Sequence, residues 1–424
     1  MASALRLLTF LAALLFASSS MGCAGVCPKV TRDLREFDQA KAPKEGWDVA
    51  LSMPMSRLDK LIAPEIKKLP KFRFAAPKVA GLSIPSIQVV VESVRLQPAP
   101  TGMLGYKIRV SLRAKNKRIL VLNLAGKSPA RFDKEQSELR IALDETKPSD
   151  LKVSIGEGGT KQLSSWIYSQ IPKQIRQFTP RNVVDAAVKT LANSALKNIG
   201  PQLDRHAPAL FEQVAAIELD FEGIPVGAVR VHSTKEYLEV LGRSTLPGSR
   251  PLSNPRGRVK GISPTLGQLK LSGAAAAAIA NEAIEQGEIP ERWNRAGEED
   301  ENGEFKARVA WADGKRPLKV ELFAENKPDC AHVRLEATPK LAVERNGAIR
   351  FSTDDAQLEK VVRGSLKVRT AIAFSGVGRK TFTMVERVAS SFVLDAGGRT
   401  LRVRTKSAKA TSREVILGFD VTAK

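Results

Sequence analysis

Between Tyr106 and Lys115 the chain alternates without a break. Tyr106, Ile108, Val110, Leu112 and Ala114 fall on one side, and Lys107, Arg109, Ser111, Arg113 and Lys115 on the other. Only a strand whose successive side chains point to opposite faces produces this period. A strand with one greasy and one charged face belongs in an antiparallel sheet with one dry and one wet side. Ile87, Val89 and Val91 repeat the pattern, as do Leu139, Ile141 and Leu143, and then Leu151, Val153 and Ile155. Ile119-Leu120-Val121-Leu122 is apolar at every position, so that strand is covered on both faces. Turn residues such as Pro98-Ala99-Pro100-Thr101-Gly102 separate the runs. The result is a meander of long strands, not the strand–helix alternation of a parallel sheet.

Helical spacing interrupts the strands at a few points. Trp47 to Met53 alternates, and Leu58, Leu61, Ile62 and Ile66 then follow as one face of a helix. Over 160–216 the stripes Leu163–Trp166–Ile167–Ile171–Ile175 and Val184–Ala187–Val188–Leu191 predict amphipathic helices lying on a sheet. Strands return at 217–241. Tyr237 to Leu241 alternates as a strand, although Ser233 with Glu236 also fits a helix capping box. Residues 242–264 hold Pro247, Pro251, Pro255 and Pro264 and read as a linker. Beyond it, Leu269-Lys270-Leu271-Ser272 echoes Val49-Ala50-Leu51-Ser52, and an alanine-rich helix over 273–287 and further strands follow. The fold class is therefore α+β, in two tandem copies of strand, helix and long meander.

The N-terminus carries an address. Arg6 precedes an apolar run, Leu7 to Phe16, and a small-residue stretch ends at Gly22-Cys23, the layout of a secretory signal peptide. The run is too short to span a bilayer, which takes about 20 apolar residues. Gly22-Cys23 also fits lipoprotein processing, with Cys23 acylated, although Ser20 stands where such sites usually carry Leu. Soluble secretion is the alternative. Residues 1–22 are thus a signal peptide, and 23–46 an irregular tether to the anchor.

The net charge of +22 suits anionic surfaces, or equally an ordinary basic exterior. Export sets nucleic acid aside. If Cys23 is acylated, Cys27 and Cys330 remain, either as one long-range disulfide or as two thiols. His206, His232 and His332 are scattered, without acidic neighbours at ligand spacing, and predict surface or strand residues and no metal site. The glycine-rich run Ile155 to Lys161 lacks the Walker spacing and reads as a strand-to-helix turn. Glu298-Glu299-Asp300-Glu301 lacks calcium-loop spacing and reads as a solvated loop. No catalytic motif or cofactor signature appears, so no enzyme is expected.

The plan resembles the tubular lipid-binding (TULIP) superfamily, with its bactericidal-permeability-increasing and SMP-type modules. More narrowly it resembles bacterial lipoproteins of the domain-of-unknown-function 4403 type. The resemblance covers roughly 47–424. It lies in Val49-Ala50-Leu51-Ser52-Met53-Pro54 leading into the Leu58–Leu61–Ile62 helix, in the long amphipathic strands, and in the helices of 160–216. It implies two modules, 47–241 and 265–424, each a curved sheet wrapped on a helix around an apolar groove for acyl chains. The expected groove residues are Leu58, Leu61, Ile62, Ile108, Val110 and Leu112, with Lys107, Arg109 and Arg113 placed outside for anionic head groups. Apolar faces that simply pack on each other are the competing reading. The expected function is an outer-membrane-anchored lipoprotein, facing the periplasm, that binds and transfers a lipid or other apolar ligand. The alternative is a non-catalytic adaptor for another envelope protein. The sequence carries nothing on oligomeric state.

Overall fold

The structure is a computed structural model. It describes residues 25–68, 72–74, 86–135, 138–141, 152–170, 184, 188, 217–220, 224–294, 298–325, 330–345, 349–353, 355–364, 393–396 and 400–423. The first half contains α1 (Cys27–Asp38), β1 (Val49–Pro54), α2 (Met55–Lys68), β2 (Phe72–Phe74), β3 (Ile87–Gln97), β4 (Met103–Ala114), β5 (Lys117–Asp133), β6 (Glu138–Ile141), β7 (Lys152–Ile155), α3 (Gly159–Gln170), β8 (Ile217–Asp220), β9 (Val226–Ser233) and β10 (Tyr237–Ser244). The second contains β11 (Gly267–Ser272), α4 (Gly273–Glu285), β12 (Arg292–Trp293), β13 (Phe305–Trp311), β14 (Leu318–Ala324), β15 (Ala331–Ala337), β16 (Lys340–Val343), β17 (Ile349–Ser352), β18 (Gln357–Gly364), β19 (Val393–Ala396), β20 (Thr400–Ala410) and β21 (Glu414–Ala423).

The strand pairings of the described residues are antiparallel, as the alternating runs predict. One large sheet runs β2-β3-β4-β5-β6-β8-β19-β20-β21-β11-β1-β10-β9, with β7 also paired to β5. It curls: the amide of Gly102, in the β3–β4 turn, donates to the carbonyl of Val231 on β9 at 2.9 Å. A five-stranded sheet, β12-β13-β14-β15-β18, and the β16–β17 hairpin complete the strands. Tyr237 to Leu241 is strand, not helix, because its alternating side chains complete the ladder on β1.

The echo between the two halves reappears as geometry. β1 and β11 lie side by side and antiparallel, with Ala50 opposite Lys270 at the centre of the shared register. β10 flanks β1 and β21 flanks β11, so each half brings its last strands back beside its first. The turn before β10 is tied by Thr234, whose hydroxyl accepts from Tyr237 N at 2.9 Å. Before β21, Thr411 does the same for Glu414 N at 3.0 Å. Each turn then caps a helix: Met55 N donates to Glu236 O at 2.8 Å, and Gly273 N to Arg413 O at 2.7 Å. Ser272 is the N-cap of α4, accepting from Ala275 N at 3.0 Å. Gly273 leaves room for Trp311, whose ring would lie 2.2 Å from a Cβ there.

Two stretches depart from the sequence reading. The tether expected over 23–46 is, from Cys27 on, a packed helix. Cys27, Val30, Leu34 and Phe37 recur at helical spacing, and the first three are buried against Phe323 and Cys330. Cys27 and Cys330 form a disulfide, with Cα atoms 5.1 Å apart. The expected linker is a strap between two strands of one sheet. Leu246 and Leu252 are buried, and Leu252 N donates to Trp47 O at 2.8 Å. Buried Asp48 accepts from Ser244 N at 2.8 Å and from Ser244 Oγ at 2.5 Å, and is also bonded by Ser249 Oγ. Lys270 Nζ donates to the carbonyls of Asn254 (2.8 Å), Gly257 (2.9 Å) and Arg256 (3.4 Å). Burial pushes this ammonium below its ordinary value, and Glu414 and Glu239 pull the other way. Lys270→Met removes the charged donor from three carbonyls and is expected to lower the unfolding free energy by about 2 kcal/mol, read by urea denaturation.

Candidate functional site

The curled sheet encloses a continuous apolar interior. Period two sends Val49, Leu51 and Met53 of β1 inward, with Leu238 and Val240 of β10, Leu269 and Leu271 of β11, and Val415, Leu417, Phe419 and Val421 of β21. From the far side come Val94 and Leu96 of β3 and Leu104, Tyr106, Ile108 and Val110 of β4. Leu58 of α2, Ala277 of α4, and Trp311, Leu318 and Ala337 of the smaller sheet join the same cluster, so both halves share one interior. Val89, Val91, Phe132, Val229 and Val309 pack against it while only partly buried.

The predicted groove residues divide. Leu58, Ile108 and Val110 are buried together in this interior. Leu112 is not with them. It packs with Ile119, Leu120 and Leu122 beneath Leu163 and Ile167 of α3, in a separate cluster that Val184 and Val188 also enter. β4 is long enough to pass from one core into the next, so one alternating stripe serves two. The backbone of Leu61 and Ile62 is helical, and their side chains lie outside the described residues. Cys23 also lies outside them, as do Ile171, Ile175, Ala187 and Leu191 of the predicted stripes.

The outer cations divide as well. Lys107 is exposed. Arg109 is paired with Glu92 at 3.3 Å, and Arg118 shares that carboxylate at 3.4 Å. Arg113 Nε reaches Ser111 Oγ at 3.4 Å. The glycine-rich run is a packing turn. Gly156 N donates to Val121 O at 2.7 Å, and a Cβ on Gly156 would lie 2.7 Å from the Val121 side chain.

One charged cluster has no counterpart in the sequence reading. His332 is buried on β15, not at the surface, and stands between two carboxylates. Its Nδ1 lies 3.1 Å from Asp33 Oδ2 and its Nε2 2.9 Å from Glu321 Oε2. An ionised carboxylate only accepts, so both contacts form as hydrogen bonds when both ring nitrogens carry protons. Arg363 donates to both oxygens of Asp33, at 2.6 and 3.0 Å, and Arg334 Nε donates to Glu321 Oε1 at 2.5 Å. Phe323 stacks on the imidazole with centroids 4.3 Å apart. The network fastens α1 to the smaller sheet. Asp33 and His332 are 299 positions apart, so no local spacing reveals it. Among the described residues no group of histidine, cysteine or carboxylate side chains is arranged to hold a metal, and no helix is long and apolar enough to cross a membrane.

No family model matches the chain, and no curated protein matches it. Two solved structures align along nearly its whole length. P47 from Clostridium botulinum A2 is 11% identical, with a TM-score of 0.45, over 90% of this chain and 99% of that one. P47 of Clostridium botulinum E1 is 11% identical, with a TM-score of 0.41, over 88% and 98%.

Proposed function

We propose that the chain is an exported, non-catalytic lipid binder of the bacterial envelope, anchored through acylated Cys23, holding an acyl chain or other apolar ligand inside the curled sheet. The observation that carries this reading is the inner lining. Along β1, β10, β11 and β21 the core-facing side chains are aliphatic or aromatic, in a single interior spanning both halves. An acyl chain in such a lining contributes roughly 0.8 kcal/mol per buried methylene. Val89, Val91, Phe132 and Val229 pack against this interior while only partly buried, and on this reading a tail enters past them. The Cys27–Cys330 disulfide supports an exported protein, since such bonds persist in oxidising compartments. The two-module TULIP-like reading belongs to the same proposal, supported by the paired hairpins around β1 and β11.

Native mass spectrometry with lipid extraction, on residues 24–424 purified without the anchor, tests it. A phospholipid or fatty acid at defined stoichiometry is the expected result. A ligand-free mass that stays unchanged after incubation with envelope lipids would overturn it in favour of an adaptor with a closed core.

A further inference from the structure

The outer face of β3–β7 carries cations in an order that sheet stability does not explain. The register sets Arg95 of β3 directly opposite Lys107 of β4. Lys107 faces Ala125 of β5, which in turn faces Lys152 of β7. The next outward rung toward the β3–β4 turn holds Gln97, Gly105 and Lys127. At the other end Arg113 stands opposite Arg118. Arg95, Lys107, Lys127 and Lys152 are all exposed. Like charges directly opposite one another weaken an antiparallel ladder, so this arrangement is unfavourable unless something anionic meets it.

Little on the face neutralises it. Glu92, at the bulge of β3, is already shared by Arg109 and Arg118. Arg95 also feels Asp59, and Asp133 and Glu138 sit at the β5–β6 turn beside Arg131 and Arg140. Lys107, Lys127 and Lys152 are left to solvent between these groups. Beyond Lys127, Met103 is 39% exposed opposite Pro129, one of two large apolar side chains so exposed among the described residues. Four strands at about 4.8 Å spacing make the cationic rung roughly 14 Å wide. That is a broad sheet face with an apolar side chain at its margin, rather than a groove that would follow a single polyanionic strand.

We propose that this face docks on an anionic membrane surface, with Lys107, Lys127 and Lys152 against phosphate-bearing lipid head groups and Met103 entering the interface. The choice of a membrane rests on the export reading. The surface itself is independent of any cargo in the interior.

The test is flotation of residues 24–424 with vesicles of phosphatidylcholine alone and of phosphatidylcholine mixed with phosphatidylglycerol. Three forms are compared: wild type, the face triple Lys107→Glu/Lys127→Glu/Lys152→Glu, and a control triple Lys41→Glu/Lys260→Glu/Lys406→Glu of the same net charge at exposed positions elsewhere. Matching unfolding midpoints establish that all three fold. The expected result is binding only to the anionic vesicles, weakened about tenfold or more by the face triple and by less than about twofold by the control. Equal losses in the two triples would overturn the proposal in favour of diffuse net charge. Equal binding to both vesicle types would overturn it too. So would a failure to float combined with retention on a single-stranded oligonucleotide that the face triple abolishes. Native mass spectrometry on the same variants reports cargo separately, so loss of docking and loss of cargo are distinguishable.

Discussion

Replacing Cys27 and Cys330 together with serine is expected to lower the unfolding free energy by about 3–5 kcal/mol. The bond closes a loop of 303 positions. By the chain-entropy argument, the unfolded state then gains freedom that grows with the logarithm of loop length. The folded state loses a fastening too. α1 reaches the rest of the protein through Cys27, Val30, Leu34 and Phe37 on Phe323, and through the ionic contacts of Asp33 and Asp38. Guanidinium denaturation of the double variant against wild type, with and without reductant, measures the effect. Reductant should bring wild type down to the variant and leave the variant unmoved. Limited proteolysis should cut first within 25–45.

Glu321→Ala is expected to cost a similar amount, about 3–5 kcal/mol, by a different route. Its side chain is 2% exposed and bridges His332 and Arg334. Removing it takes one of the two carboxylates away from buried His332 and leaves the Arg334 guanidinium without its partner, a larger penalty than the pair itself contributes. The double variant Glu321→Leu/His332→Leu should therefore be more stable than Glu321→Ala, a non-additivity that a double-mutant cycle measures. Acid provides a second test. Burial pushes the Asp33 carboxyl up, but hydrogen bonds from Arg363 and His332 outweigh burial and hold it below its ordinary value of 3.8. The folded protein thus binds this proton less readily than the unfolded chain. The resulting stability is fully present above pH 3.8 and is lost as pH falls through the lower folded value. Asp33→Asn should flatten that acid limb in pH-dependent unfolding.

The strands were legible because a two-residue period is a local property. Tyr106 to Ala114 could be oriented from sequence alone, as could the buried run at Ile119–Leu122. The echo of Val49–Ser52 in Leu269–Ser272 marked two strands, but that they lie side by side was not readable from it. What escaped was long-range. The stripe in α1 was present at Cys27, Val30, Leu34 and Phe37, but Pro28 and dense charge gave it the look of a polar tether. Pro28 in fact sits in the first turn, where a missing amide is harmless. Leu112 shares a face with Ile108 and Val110, and only the placement of α3 sends it to another core. The surroundings of His332 are assembled from α1, β14, β15 and β18, so neighbours in sequence said nothing of them.

The position of β1 has a consequence for how the molecule is made. Both of its partners are synthesised late: β10 ends at Ser244 and β11 at Ser272. A chain delivered N-terminus first exposes Val49 to Pro54 with bare hydrogen-bonding groups on both sides until β10 follows, about 190 residues later, and on one side until β11 does. Such delayed pairing makes folding slow and leaves a sticky edge exposed in the meantime. A strand that lies inside the finished sheet thus spends most of synthesis as an unpaired edge in the nascent chain.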